Sequence, residues 1–184
     1  VPDASPLVNS GLSSKPDGMS VMADAATCAS VYKSALTIDP SVKKVFIPAC
    51  LDPSVTDVIG LDTIEGSTGI TATDYLSDQP SSVLYRSVLT TYAPDTNVTG
   101  AASSGYQVVM ALVGATSGIT GDVTPAAIKN SLKTTTNVEM PAGGGITFSC
   151  NGTAVPQMPA ICSDQMLIGT LNDQAVPVDL KIAG

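Results

Sequence analysis

The strongest constraint on this chain is a change of rhythm near residue 70. Before it, short apolar runs alternate with amphipathic helices; after it, three amphipathic helices follow one another with no strand between them. Gly18-Met19-Ser20-Val21-Met22-Ala23 is an apolar run long enough for a buried strand, and the turn signal Lys15-Pro16-Asp17 precedes it. Asp24 can cap the helix that comes next. Cys28, Val31, Tyr32, Ala35 and Leu36 recur at the spacing of one helical face, and Asp39-Pro40 ends the helix. Val45-Phe46-Ile47-Pro48 predicts a second buried strand, Pro53–Ile59 a short helix with proline in its first turn, and residues 66–70 a third strand. Strand–helix–strand–helix–strand at this spacing requires parallel pairing through right-handed crossovers, so the fold class is α/β.

The later helices raise a packing problem. Asp78 and Pro80 open one that carries Leu84, Tyr85, Val88, Leu89 and Tyr92 and stops at Pro94. Another runs from about residue 103 to 116, with Tyr106, Val109, Met110 and Val113 as its stripe. A third starts at Thr124-Pro125 and carries Ile128 and Leu132. Each must bury a face against something. They either cover the back of the sheet in residues 1–70 or belong on a sheet this chain does not supply. The second is favoured, because three strands are few for so many helices. Residues 143–184 turn to β: a joint at Gly143-Gly144-Gly145, a hairpin from residues 146–150 to Ile161-Cys162 around a Gly- and Pro-containing loop, then residues 166–171. Last comes a strand in which Val176, Val178, Leu180 and Ile182 alternate. The organisation expected is therefore 1–70, a βαβαβ core; 71–142, helices needing a partner sheet; and 143–184, a β segment returning to the first unit.

Composition removes several function classes. The formal charge is −8 with eight unclustered Lys and Arg, which argues against nucleic acid. His is absent, so there is no imidazole base or metal ligand, and no metal or cofactor is expected. No apolar run approaches the roughly 18 residues of a membrane span. Four cysteines fall as Cys28 with Cys50 and Cys150 with Cys162, none at C-x-x-C spacing. Each pair lies within one supersecondary unit, and an even count with few charges suits two disulfides in an oxidising compartment; four reduced buried thiols is the alternative. Ser30-Val31-Tyr32-Lys33 has the S-x-x-K spacing of serine β-lactamases but lacks that chemistry's other elements. Asp95-Thr96-Asn97-Val98-Thr99-Gly100 begins like a Ca²⁺ loop, yet the twelfth position is Tyr106 rather than Glu, which leaves a turn. No catalytic constellation is expected.

One site is. Open parallel sheets bind ligands beyond the carboxyl ends of their strands. Those ends deliver Asp24, Ala25 and Ala26 from the first strand, and Ala49, Cys50, Leu51 and Asp52 from the second. Asp24 is suited either to a ligand ammonium group or to capping its helix.

The order of elements resembles a known family. Residues 15–28, Val45-Phe46-Ile47-Pro48-Ala49-Cys50 and the stretch 62–69 resemble the second lobe of type I periplasmic solute-binding proteins of the branched-chain amino acid ABC transporter kind. Gly105-Tyr106-Gln107-Val108-Val109 is similar to that family's helix near the hinge. Phe148-Ser149-Cys150-Asn151-Gly152 and Ala160-Ile161-Cys162-Ser163 resemble the cysteine-bearing hairpin of actinobacterial members. The resemblance implies a Venus-flytrap protein, not an enzyme, that captures a small polar solute outside the cytoplasm and passes it to an ABC transporter permease. It also implies that this chain is the C-terminal half of a bilobed fold, its helices packing on a first-lobe sheet built upstream. Ligand contacts would then come from Asp24, Ala25 and Asp52, with Ser104 and Tyr106 reaching in from the hinge side. The position where branched-chain binders carry an acid falls near Cys50, which puts amino-acid specificity in question. The alternative is a self-assembling extracellular module or filament subunit derived from such a protein, with identical copies covering the helices.

Overall fold

A computed structural model describes residues 3–184; Val1 and Pro2, the first residues of the expected 1–70 unit, lie outside the described residues. The chain forms two compact units, each assembled from three stretches. The first takes residues up to Thr71, Asn97–Ala101 and Ile168–Lys181; the second takes Ala72–Thr96, Ala102–Leu167 and Ile182–Gly184.

In the first unit the elements run α1 (Ser5–Leu12), β1 (Gly18–Ser20), α2 (Ala25–Ile38), β2 (Lys43–Phe46), a 3-10 turn (Pro48–Leu51), α3 (Pro53–Ile59), α4 (Leu61–Ile64) and β3 (Thr68–Thr71). β1 pairs with β2 and β2 with β3, both in parallel, as crossovers through α2 and α3 require. The sheet has five strands: the three expected from residues 1–70 and two more from the C-terminal segment. Its order is β1-β2-β3-β6-β7, because β6 (Met166–Leu171) and β7 (Pro177–Ala183) return to its far side. The sheet approaches that hairpin closely at Gly69, where a Cβ would stand 2.8 Å from Leu171 Cδ2 and 3.1 Å from Pro177 Cγ. β1 corrects the reading of residues 18–23 as a buried strand. It is an edge strand, covered on one side only, and pairing ends at Ser20.

The core of this unit gathers Cys28 and Tyr32 of α2, Phe46 of β2, Cys50, Leu51, Val55, Ile59 and Ile64 of the helical connection, and Leu171. Tyr32 and Phe46 stack with ring centroids 4.5 Å apart, and the Tyr32 hydroxyl donates to the Val45 carbonyl at 2.7 Å. Burial pushes the Tyr32 phenol up to about 12.

The second unit holds α5 (Pro80–Tyr92), α6 (Ala101–Thr116, all but its first residue), α7 (Pro125–Thr134) and the antiparallel pair β4 (Val138–Glu139) and β5 (Thr147–Phe148). Here the structure corrects two expectations. Residues 147–148 pair with β4 rather than with Ile161-Cys162, although the Ser149 N–H donates to the Cys162 carbonyl and the Ser163 hydroxyl to the Thr147 carbonyl. The triple glycine is the tight turn between those strands rather than a joint: the Gly143 N–H bonds to the Met140 carbonyl, Gly144 and Gly145 have φ of 57° and 95°, and a Cβ at Gly143 would lie 2.5 Å from Met140 Cβ.

The expected apolar stripes are only partly buried. α5 buries Ser82 and Tyr85, α6 buries Ser103 and Gln107, and α7 buries nothing fully. Leu84, Val109 and Val113 are 49%, 59% and 56% exposed, while Val88, Leu89, Met110, Ile128 and Leu132 are half-buried. Residues 143–184 are not one unit: Ile168–Lys181 joins the first sheet and the remainder stays with the helices. No helix among the described residues is long and apolar enough to cross a membrane.

Candidate functional site

The connections that leave β1 and β2 are built by the same device, an aspartate closing the start of a helix. Asp24 precedes α2 with extended backbone, and its Oδ1 accepts the Thr27 N–H at 2.9 Å. That hydrogen bond holds the exposed Asp24 carboxyl below its usual range. Asp52 precedes α3, its Oδ1 accepting the Ser54 N–H at 2.9 Å and the Ser54 hydroxyl at 2.6 Å. Ala25 is the first, half-buried residue of α2.

A disulfide locks the two connections together. Cys28 and Cys50 are bonded, with Cα atoms 5.4 Å apart and both side chains fully buried. From the Asn97–Ala101 stretch, buried Thr99 shares its one hydroxyl proton between Asn97 Oδ1 at 3.0 Å and the Leu51 carbonyl at 3.3 Å, bringing a third segment to the same place. The first unit therefore presents Asp24, Ala25 and Asp52 from a cross-braced rim at its strand ends. Met22, 90% exposed, adds an apolar group in the connection from β1.

Ser104 and Tyr106 lie on α6 in the second unit, so the five expected contact residues are divided between the units. Ser104 is exposed and borders a cavity of about 380 Å³ with Gln107, Leu112, Met140, Phe148 and Cys162. Tyr106 packs its ring against Tyr85, centroids 4.9 Å apart and planes tilted by 49°, and burial raises its phenol. Gln107 is not among the expected site residues. Its Nε2 donates to the Ala72 carbonyl at 2.6 Å and to the Pro141 carbonyl at 3.0 Å, fastening the start of the unit to the turn after β4. An amide inside an otherwise apolar stripe is the one signal of this role in the sequence. Cys150 and Cys162 are bonded as well, with Cα atoms 4.4 Å apart.

The remaining motifs are occupied structurally. In Ser30-x-x-Lys33, Tyr32 is core and Lys33 is exposed. In the Ca²⁺-like stretch, Asn97 Oδ1 accepts the Thr99 N–H and hydroxyl, each at 3.0 Å, which makes it an Asx turn. The described residues contain no group of three or more metal-ligating side chains. Within the first unit, two carboxylates stand on helix starts with an apolar neighbour at Met22, a set of groups suited to binding rather than to bond-breaking.

A profile described as periplasmic binding protein matches residues 1–162. A comparison with curated protein sequences found no match. Among solved structures the chain is similar to a substrate-binding periplasmic protein from Ralstonia solanacearum, at 16% identity and a TM-score of 0.73, covering 97% of this chain and 49% of that one. It is also similar to a possible leucine/isoleucine/valine-binding protein from Rhodopirellula baltica, at 15% identity and 0.70, covering 96% and 46%. A third is a branched-chain amino acid transporter substrate-binding protein from Streptococcus pneumoniae in complex with isoleucine, at 12% and 0.64, covering 97% and 47%. The chain thus spans about half the length of the structures it matches.

Proposed function

The chain belongs to the periplasmic binding protein family, and on that premise we propose that it is the solute-binding component, or the C-terminal half of one, of an ABC transporter working outside the cytoplasm. The observation that carries this reading is the braced rim. Cys28–Cys50 and Thr99 hold the strand-end connections of a parallel sheet in place, the position where such sheets bind ligands. The solute is a small polar molecule such as an amino acid or amide, met by Asp24, Ala25 and Asp52 and, from α6, by Ser104 and Tyr106. Where the family resemblance calls for an acid, this chain has Cys50 inside a buried disulfide, so Asp24 and Asp52 are the carboxylates left to receive an ammonium group.

Calorimetry on the natural protein with a panel of amino acids and amides tests this. Saturable binding that Asp24→Asn weakens by about tenfold or more, the worth of a charge-assisted hydrogen bond, is the expected outcome. Binding that ignores both aspartates would overturn the assignment of the rim.

The exposed side chains of α5 and α6, Leu84, Val109 and Val113, support a bilobed protein in which an upstream half covers them. A natural protein of roughly twice this chain's mass is expected, since bilobed architecture needs two domains' worth of chain. The same side chains favour a second reading, self-assembly of identical copies. Intact mass of the natural protein separates the two: a mass equal to this chain's, with concentration-dependent association, supports the second.

A further inference from the structure

The loop closed by Cys150–Cys162 holds an asparagine that the proposed solute site does not use. Asn151 is exposed, and its Oδ1 accepts two hydrogen bonds from Thr153, the backbone N–H at 3.1 Å and the hydroxyl at 2.6 Å. Gly152 comes after it with φ of 82° and no Cβ to shield its amide nitrogen. We propose that Asn151 is a site of spontaneous modification, its amide converting through a cyclic imide to aspartate and isoaspartate with help from groups the loop supplies.

The chemistry needs only water. The Gly152 nitrogen, giving its proton to solvent base, attacks Asn151 Cγ. A nitrogen–carbon bond forms and negative charge develops on Oδ1. Collapse breaks the Cγ–Nδ2 bond, and Nδ2 takes a proton from water and leaves as ammonia. Water then adds to either imide carbonyl, and ring opening gives aspartate or isoaspartate. The two Thr153 donors already point at the oxygen where charge builds, the arrangement that stabilises tetrahedral intermediates in acyl transfer.

Two other asparagines serve as internal comparisons. Asn97 has the same pair of donors, from Thr99, but its successor Val98 has a branched side chain that crowds the nitrogen, and Thr99 is buried. Asn172 Oδ1 accepts the Gln174 and Val176 N–H groups at 3.0 and 2.9 Å, but its successor is Asp173. The geometry on the oxygen is thus shared, and of the three only Asn151 combines it with glycine in an exposed loop. Conversion would make an acidic chain one charge more negative and, as isoaspartate, would insert an extra backbone carbon into a disulfide-closed loop.

The test is to hold the purified protein in mildly alkaline buffer, then map non-reduced peptides by mass spectrometry with isoaspartyl-specific methyl labelling. Asn151 should convert on the order of tenfold faster than Asn97 or Asn172. Thr153→Val, which keeps the shape and removes the hydroxyl, should slow it several-fold with the Cys150–Cys162 peptide still linked. An Asn151 that stays an amide while Asn97 or Asn172 converts would overturn the site. An unchanged rate in Thr153→Val would overturn the role given to the donors.

Discussion

Asp24 carries two roles that substitution can separate. As a cap it accepts one backbone N–H, which asparagine also does; as a rim carboxylate it offers charge, which asparagine does not. Asp24→Asn should therefore keep the melting temperature and lose affinity for a cationic solute, whereas Asp24→Ala should lower both. Its carboxyl titrates lower in the folded chain than unfolded, so its contribution is complete above the ordinary carboxylate range and disappears as pH falls through the folded value. The Ala-versus-wild-type gap in melting temperature should close in acid. Tyr32 works in the opposite sense. Its phenol, moved from 10.0 to about 12 by burial, favours folding fully below the unfolded value, and that advantage is lost as pH rises between the two. Tyr32→Phe should remove this alkaline loss and cost about 1 kcal/mol at neutral pH for the hydrogen bond to Val45, as read by urea unfolding.

Elements in the first unit are held by contacts that leave little slack. Gly69 lies on β3 where Leu171 and Pro177 close over it, both buried, so Gly69→Ala must displace one of them. A loss of about 1–3 kcal/mol is expected from overpacking, and a thermal melt checks it. Cys28–Cys50 joins residues 22 apart across two connections. Replacing both cysteines with alanine should cost about 3 kcal/mol from the freed unfolded chain. The same change at Cys150 and Cys162, 12 residues apart in a partly exposed loop, should cost less. Denaturant midpoints of the two double variants give the order. α3 is legible in the residues alone because Asp52-Pro53 states a cap and a first turn locally. α1 is not: it buries only Val8, and its start is marked by Asp3 accepting the Ser5 N–H, a signal many turns share.

For the whole molecule the decisive quantity is apolar surface left in water. Leu84, Val109 and Val113 are about half exposed on helices whose buried positions are Ser82, Tyr85, Ser103 and Gln107. Covering the rest of one such side chain is worth on the order of 1 kcal/mol, so a protein carrying two helices of this kind gains by finding them a partner. Val109→Glu in the 184-residue chain should reduce self-association in sedimentation without lowering the melting temperature. In a natural protein with an upstream half the same change should destabilise. An unchanged melting temperature there would sink the bilobed reading.

The parallel βαβαβ order, the caps at Asp24 and Thr124, and the cysteine partners can all be read from residues because each depends on neighbours within one supersecondary unit. The three amphipathic helices are visible there too, as apolar stripes that follow one another without a strand between them. Long-range pairing decides the rest. That β6 lies beside β3 with β7 at the edge, that residues 147–148 choose Val138–Glu139 over Ile161-Cys162, and that Gln107 faces two carbonyls more than 30 residues away are outcomes of competing contacts between distant segments. Alternation and capping act over a few residues and do not rank such pairings. Only the folded chain does, by the backbone groups each one satisfies.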